Sequence, residues 1–423
     1  MRSLLKQITF FCKKFRYVLL FIAVAAFVLP EVSVYFHKAS RGADIHGYLA
    51  AGKDALALND LYVNSAPGKN NTWPPFFSFF IAPLAVCKNS AGLPITKILW
   101  YFINFAALIA TIQIISQLLY DKRPSFLKKS AFDFTSDKVF VPVLCVLPSL
   151  VSNFFMLQIN ALILFLVCAG LLYNKKEKPL AAGIFLALAA SIKAYPGLFV
   201  FYFLFRKQWK TALATIVFGI LFTLSPVVFY GIDGYIHLMQ DWLTLSFAKP
   251  FVVGYTTFNN HSLYAFWERL LAHQLHCTEP ASSMIKLFNL SSICIILISS
   301  FAIILRFPYR DKPILQMIEF SIICTMMILF PPIAWGHYWL ILLPAAASIY
   351  YCVRMIPRSI TPLTGTLSVS SLLLMQVPYF FSKTAVKTFL KMYSSNTFCA
   401  LLVLVVLLLL YVNPEVRKCE KPR

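Results

Sequence analysis

Three side chains able to do acid–base or phosphate chemistry, Asp44, Lys193 and His337, stand at the edges of apolar segments in this chain. Ionisable groups at membrane depth are costly to keep there, so they count as functional candidates first. A carboxylate beside a hydroxyl can take its proton, while an ammonium and an imidazole can stabilise a departing phosphate. That set suits a general base facing a phosphate leaving group. Each residue also has a plainer reading. Asp44 shares its loop with Asp54 and Asp60, and acids near a helix start are ordinary. Lys193, in Ser191-Ile192-Lys193-Ala194-Tyr195-Pro196, could extend its ammonium to the membrane interface. His337 lies in an aromatic stretch, Pro331 to Trp339, of the kind that marks an interface. Two amides, Gln158 and Asn160, occupy the tip Phe155-Met156-Leu157-Gln158-Ile159-Asn160, where they could bond sugar hydroxyls or cap a helix. Asn259, Asn260, His261 and Ser262 precede apolar positions 263, 266, 267, 270 and 271. That spacing predicts an amphipathic helix whose polar entry could cap it, with Arg269 inside.

The elements that must position these groups are membrane helices. Of 423 residues, 59% are hydrophobic and 13% charged, and the mean hydropathy is +0.73. A soluble domain is nearer half apolar and a quarter charged. Apolar runs long enough to cross a bilayer recur, which gives an all-α polytopic membrane protein. The net charge of +22 comes from short Lys/Arg clusters between apolar runs, as the positive-inside rule requires, so no nucleic acid is expected as a partner. Most of the ten cysteines sit inside apolar segments with no CxxC pair, as packing residues do. The basic N-terminus and first apolar run lack a convincing cleavage site and read as an uncleaved helix.

The chain reads as one integral domain, 1–423, with about twelve spans and both termini cytoplasmic. The spans are 17–36, 97–119, 139–154, 158–173, two short helices within 179–205 that meet near Lys193, 211–230, 285–305, 314–331, 338–353, 362–380 and 397–412. Two large loops, 37–96 and 231–284, are external and carry interfacial helices. Segment 76–87, opened by Pro74-Pro75, is too short to span and is expected to form an interfacial or re-entrant helix. No clustered carboxylates suggest a metal, and none is expected.

The motifs resemble glycosyltransferase family 87, the DUF2029 group. The pattern D-x3-Y-x-AA is Asp44, Tyr48 and Ala50-Ala51, followed by Leu61-Tyr62, Trp73-Pro74-Pro75 and Pro83-Leu84-Ala85. Gln158-x-Asn160, Lys193-x-Tyr195-Pro196, Arg206-x2-Trp209, Asn260-x-Ser262-Leu263 and Pro332-x2-Trp335-x-His337 follow in order. The similarity covers roughly residues 40–345 of a family that includes a polyprenyl-phosphate-mannose-dependent mannosyltransferase of phosphatidylinositol mannosides. The chain departs at Leu157, where Gly is usual, at His261, where Gln is common, and at Trp73, where Tyr is usual.

What the resemblance implies is the GT-C fold and inverting transfer of a hexose, mannose first, from a polyprenyl phosphate to a lipid- or glycan-linked hydroxyl. The reaction would run on the periplasmic or extracellular face of the inner (plasma) membrane. Asp44 would be the base. Lys193, His337 and Arg269 would bind the donor phosphate. Tyr48, Gln158, Asn160, Asn260, His261, Ser262 and Trp335 would contact sugar or acceptor. No cofactor is expected. The alternatives are an arabinofuranose transferase of the same fold and a lipid-linked sugar flippase, though a flippase would want charged groups in mid-span.

Overall fold

The computed structural model describes residues 44–62, 71–124, 134, 136–248, 259–271, 282–307, 312–380 and 394–419. The expected first span, 17–36, lies outside them, as does most of the loop 381–396. Among the described residues the regular structure is helical, and the protein is an all-α membrane protein. Four helices are long and apolar enough to cross a membrane: Leu93–Tyr120, Ser283–Arg306, Gly336–Met355 and Ser395–Val412. Two bent pairs raise the number to six if each is one span. The packing divides the chain into two compact units.

One unit takes in the described residues of Ser33–Thr111 and Asn153–Gly254. It begins with α1 (Ile45–Leu56), which packs on α2 (Pro75–Ala91), the helix expected over 76–87. The contact is close because Gly52 lies against the Ala82 backbone, where an added Cβ would come within 3.1 Å of Ala82 Cα. After α3 (Leu93–Tyr120), α4 (Asp137–Cys145) and α5 (Leu147–Phe155) come α6 (Asn160–Lys175) and α7 (Pro179–Ile192), packed on each other. α7 also packs on α9 (Trp209–Leu224), after α8 (Leu198–Phe205). A Cβ on Gly183 would meet the Ala214 Cβ at 2.5 Å and the Ala214 carbonyl carbon at 2.7 Å, so this helix pair requires glycine. Small residues that bring backbones together are the usual packing device between membrane helices. Helix α9 also exposes Leu213, Ile220 and Leu221, as a surface turned to lipid tails would. Helix α7 ends at Lys193 and the next helical turn starts at Tyr195, so 179–205 is indeed two short helices.

The other unit takes in the described residues of Ile112–Ser152 and those from 259 onward. It includes α11 (Leu263–Arg269), α12 (Ser282–Arg306), α13 (Pro313–Leu329), α14 (Leu343–Met355), α15 (Pro362–Phe380) and α16 (Ser395–Val412). Helix α13 is buried from Ile314 to Leu329 except at Gln316, and packs on α14 and α16. The acid inside it, Glu319, is fully buried and accepts a hydrogen bond from the Tyr411 hydroxyl of α16.

Two expected segments differ from single spans. Segment 139–154 is α4 and α5, bent by 68° at Val146. Pro148 explains the break, since it has no N–H to give the Leu144 carbonyl and its ring clashes there. Gln376 of α15 repairs it, donating to Leu144 O at 3.1 Å and Cys145 O at 2.9 Å. At the second site α9 is bent by 88° at Pro226 into a further helix, α10 (Val227–Leu243), itself kinked at Gly231. The loop expected from 231 therefore starts as helix.

Candidate active site

Asp44 is the residue before α1, partly buried, and its backbone N–H donates to Met156 O at 3.2 Å. That bond ties the loop to the tip at 155–160. There Leu157 adopts φ +51°, which reverses the chain so that Gln158 N donates to Asn153 O at 2.8 Å. The Trp100 indole donates to the Leu157 carbonyl at 2.8 Å and fixes the turn from α3. The Gln158 side chain is thereby delivered to Asp44: its Nε2 donates to the carboxylate, and its Oε1 accepts from the Tyr48 hydroxyl at 3.2 Å. The Tyr48 ring is boxed edge-on by Trp73, Phe77 and Trp100, with centroids 4.9, 5.2 and 5.9 Å away.

Two residues further on, Asn160 opens α6 with its side chain fully buried. Its Oδ1 accepts from Lys193 Nζ at 3.0 Å and from the Tyr195 hydroxyl at 3.2 Å, while its Nδ2 has no hydrogen-bond partner among the described residues. Lys193 leaves α7 in an extended conformation and is buried, so the interfacial snorkelling reading does not describe it. Burial pushes the Asp44 carboxyl above its ordinary value of 3.8, and the positive charge of Lys193 pulls it part of the way back. Asp44, Tyr48, Gln158, Asn160 and Lys193 thus come together in one unit. Trp73 and Trp100 join them without having been singled out as site residues, as does Tyr195, visible only as part of the motif around Lys193. Asp54 does not join. It sits ten residues along α1, about 15 Å away at 1.5 Å per residue, where it accepts from Asn59 Nδ2.

The second group of expected residues lies in the other unit. Ser262 caps α11, accepting from Ala265 N at 3.1 Å, and donates to Pro332 O at 2.9 Å. Asn260 Oδ1 accepts from the Ser262 and Ala334 amides, and its Nδ2 donates to Pro332 O at 3.0 Å. The His261 amide donates to Ala334 O at 2.8 Å, and its ring stands edge-on to Trp339. Asn260 and Ser262 thus hold the 332–334 turn with their polar atoms. Trp335 and buried His337 follow directly, at the start of the 3₁₀ helix Gly336–Leu342. Arg269, at the end of α11, is buried and donates to Ser394 Oγ from Nε at 3.0 Å and from a terminal nitrogen at 2.7 Å. Burial lowers its guanidinium to about 10, so it remains charged at neutral pH.

Residues 71–332 match glycosyltransferase family 87. The chain belongs to this family. A polyprenol-phosphate-mannose-dependent alpha-(1-2)-phosphatidylinositol mannoside mannosyltransferase of Mycolicibacterium smegmatis is 22% identical over 317 residues, covering 71% of this chain and 68% of the relative. No solved structure matches. This family 87 protein is therefore a glycosyltransferase, and its departure at the tip has a physical reading. A glycine would reach φ +51° without strain, whereas Leu157 pays for that geometry with a side chain only 4% exposed.

One cluster in the transferase was not legible from the sequence and corrects the expectation of no grouped carboxylates. Asp60, His237 and Asp241 present ligand atoms within 4.8 Å of one another, with His237 Nδ1 3.1 Å from Asp241 and 3.8 Å from Asp60. The His237 side chain is 62% exposed. With Tyr230 donating to Asn59 O, the group ties α10 to the 59–62 turn.

Proposed function

We propose that this family 87 protein is an inverting transferase that moves a hexose, mannose first, from a polyprenyl phosphate to a hydroxyl of a lipid- or glycan-linked acceptor. The observation that carries the proposal is the Asp44–Gln158–Asn160–Lys193 constellation. It puts a partly buried carboxylate and a buried ammonium in one unit, and the amide that holds the ammonium keeps a buried donor with no partner among the described residues. The relative from Mycolicibacterium supports the donor class, since its name states dependence on polyprenol-phosphate-mannose.

In the proposed step Asp44 accepts the proton of the acceptor hydroxyl as that oxygen attacks the anomeric carbon. The bond from that carbon to the phosphate oxygen breaks, and its electron pair leaves with the phosphate. One displacement inverts the centre, with base and leaving group on opposite faces of the sugar. Lys193 neutralises the charge developing on the phosphate, in surroundings dry enough to make that interaction strong. Asn160 Nδ2 is the donor proposed for a sugar hydroxyl or phosphate oxygen. His337 and Arg269 are assigned to the phosphate by motif order rather than by packing. The proposal places the reaction on the non-cytoplasmic face of the inner membrane, in a chain of twelve spans.

Transfer from labelled polyprenyl-phosphate-mannose to a membrane glycolipid extract, measured in proteoliposomes, tests it. Transfer is expected. Movement of labelled lipid between leaflets without transfer would replace the enzyme with a flippase.

A further inference from the structure

Tyr48, Gln158 and Asp44 form a hydrogen-bonded chain with a direction. The Tyr48 hydroxyl donates to Gln158 Oε1, and Gln158 Nε2 donates to Asp44. An ionised carboxylate only accepts, whereas a protonated one must also place its own O–H. With Nε2 turned towards it, the Gln158 amide serves the ionised form and offers no acceptor to the protonated one. The Tyr48 hydroxyl supports that sense by donating to Oε1, and an amide flip would turn Oε1 against the carboxylate.

Neither member of the chain is free to turn away. Gln158 is 2% exposed and pinned through its own backbone N–H to Asn153 and through the preceding carbonyl to Trp100. Tyr48 is 1% exposed inside its three-ring box. Hydrogen bonds in such a buried chain reinforce one another.

We propose that Tyr48 is a positioning residue that acts through Gln158 to keep the Asp44 carboxylate ionised and aimed, rather than a contact to sugar or acceptor. The proposal rests on Asp44 being the base. It resolves a tension in the site, because a desolvated carboxylate resists ionisation and a general base must be ionised before it can act. Lys193 supplies the countering charge, and the Tyr48–Gln158 chain supplies the countering hydrogen bond.

The test compares pH profiles of kcat/KM for wild type, Tyr48→Phe and Gln158→Ala in the proteoliposome transfer assay. Tyr48→Phe removes one oxygen and keeps the ring box, so its melting temperature should be close to that of wild type. Its acid limb is expected to move up by about one pH unit, a tenfold loss on the limb that higher pH restores, since one pKa unit is tenfold in the ionised fraction. KM for donor and acceptor should stay within about twofold. Gln158→Ala removes the donor itself and should move the limb further the same way. A loss equal at every pH, or a raised KM with an unmoved limb, would make Tyr48 a packing or substrate-contact residue and end the proposal. Infrared difference titration of the protonated-carboxyl band that Asp44→Asn deletes reads the same midpoint without turnover. If wild type shows no acid limb, or if Asp44→Asn transfers with the limb intact, the base assignment itself fails, whatever Tyr48→Phe does.

Discussion

Two buried asparagines in this chain do opposite things. Around Asn260 both side-chain polar atoms are engaged: Oδ1 takes two backbone amides and Nδ2 gives to Pro332 O. Around Asn160 Oδ1 is doubly engaged by Lys193 and Tyr195, but Nδ2 is buried with no partner among the described residues. A buried donor left unmade costs about 1–3 kcal/mol, so a fold that keeps one calls for an explanation. At Asn260 the amide is scaffold, fastening α11 to the turn before His337. At Asn160 the amide has been anchored on one side and left open on the other, as a group waiting for substrate would be. The motif gives both residues the same rank, and hydrogen-bond bookkeeping separates them.

The largest expected effect breaks the chemical region without touching the scaffold. Asp44→Asn keeps the shape and an acceptor for Gln158 but has no basicity, so transfer should fall by about a thousandfold or more. The stability change has the unusual sign. Burial raises the folded-state pKa of Asp44 above 3.8, which means its ionisation opposes folding at neutral pH. That cost is fully present above the folded value and vanishes as the pH falls below 3.8. The amide variant should therefore melt at the same or a higher temperature than wild type at pH 7, with the gap closing in acid. Transfer assays beside melting curves at pH 7 and pH 4 check both halves. A variant that loses activity by unfolding would place Asp44 with the scaffold.

The same isosteric change made at both asparagines sharpens the contrast. Asn160→Asp keeps the oxygen that Lys193 and Tyr195 bond and replaces the open Nδ2 donor with a carboxylate oxygen. It should fold normally and lose about a hundredfold in transfer, part of this from a second negative charge near Asp44. Asn260→Asp removes the donor facing Pro332 O and turns a carboxylate oxygen against that carbonyl. A loss of about 2–3 kcal/mol in stability is expected, read by denaturant or thermal melting, with turnover per folded molecule nearly unchanged. The reverse pattern would exchange the two roles.

The helices were legible where apolar runs are long and uninterrupted, and the break at Lys193 was legible because Pro196 and a lone cation interrupt an Ala-rich run. The bends at Val146 and Pro226 were missed, although Pro148 and Pro226 were in view, because a proline interrupts a hydrogen-bond ladder without changing hydropathy. What repairs the first bend, Gln376, lies more than 200 residues away in sequence. Residue types and motif order single out Asp44, Lys193, Gln158 and Asn160, which the fold brings together. They could not assign Gln158 to Asp44, 114 residues apart, nor gather Asp60, His237 and Asp241, because such pairings exist only once helices have packed. Tyr48 shows the same limit: its hydroxyl is visible in the sequence, and its partner Gln158 is not.

The smallest expected effect concerns the tip itself. Leu157 combines a left-handed backbone with a buried side chain that contributes about 1.5–3 kcal/mol through burial. The φ of +51° costs a non-glycine residue about 1–2 kcal/mol. Glycine would remove the strain and most of the burial together. Alanine would remove most of the burial and keep the strain. Leu157→Gly should therefore be the milder change, destabilising by about 1 kcal/mol, and Leu157→Ala the worse, the reverse of their usual order in a helix. Both keep the carbonyl that Trp100 holds, so both should leave the pH profile of transfer in place. If alanine proves milder than glycine in paired melts, the left-handed turn is not what delivers Gln158 to Asp44, and the tip is held by its side-chain packing instead.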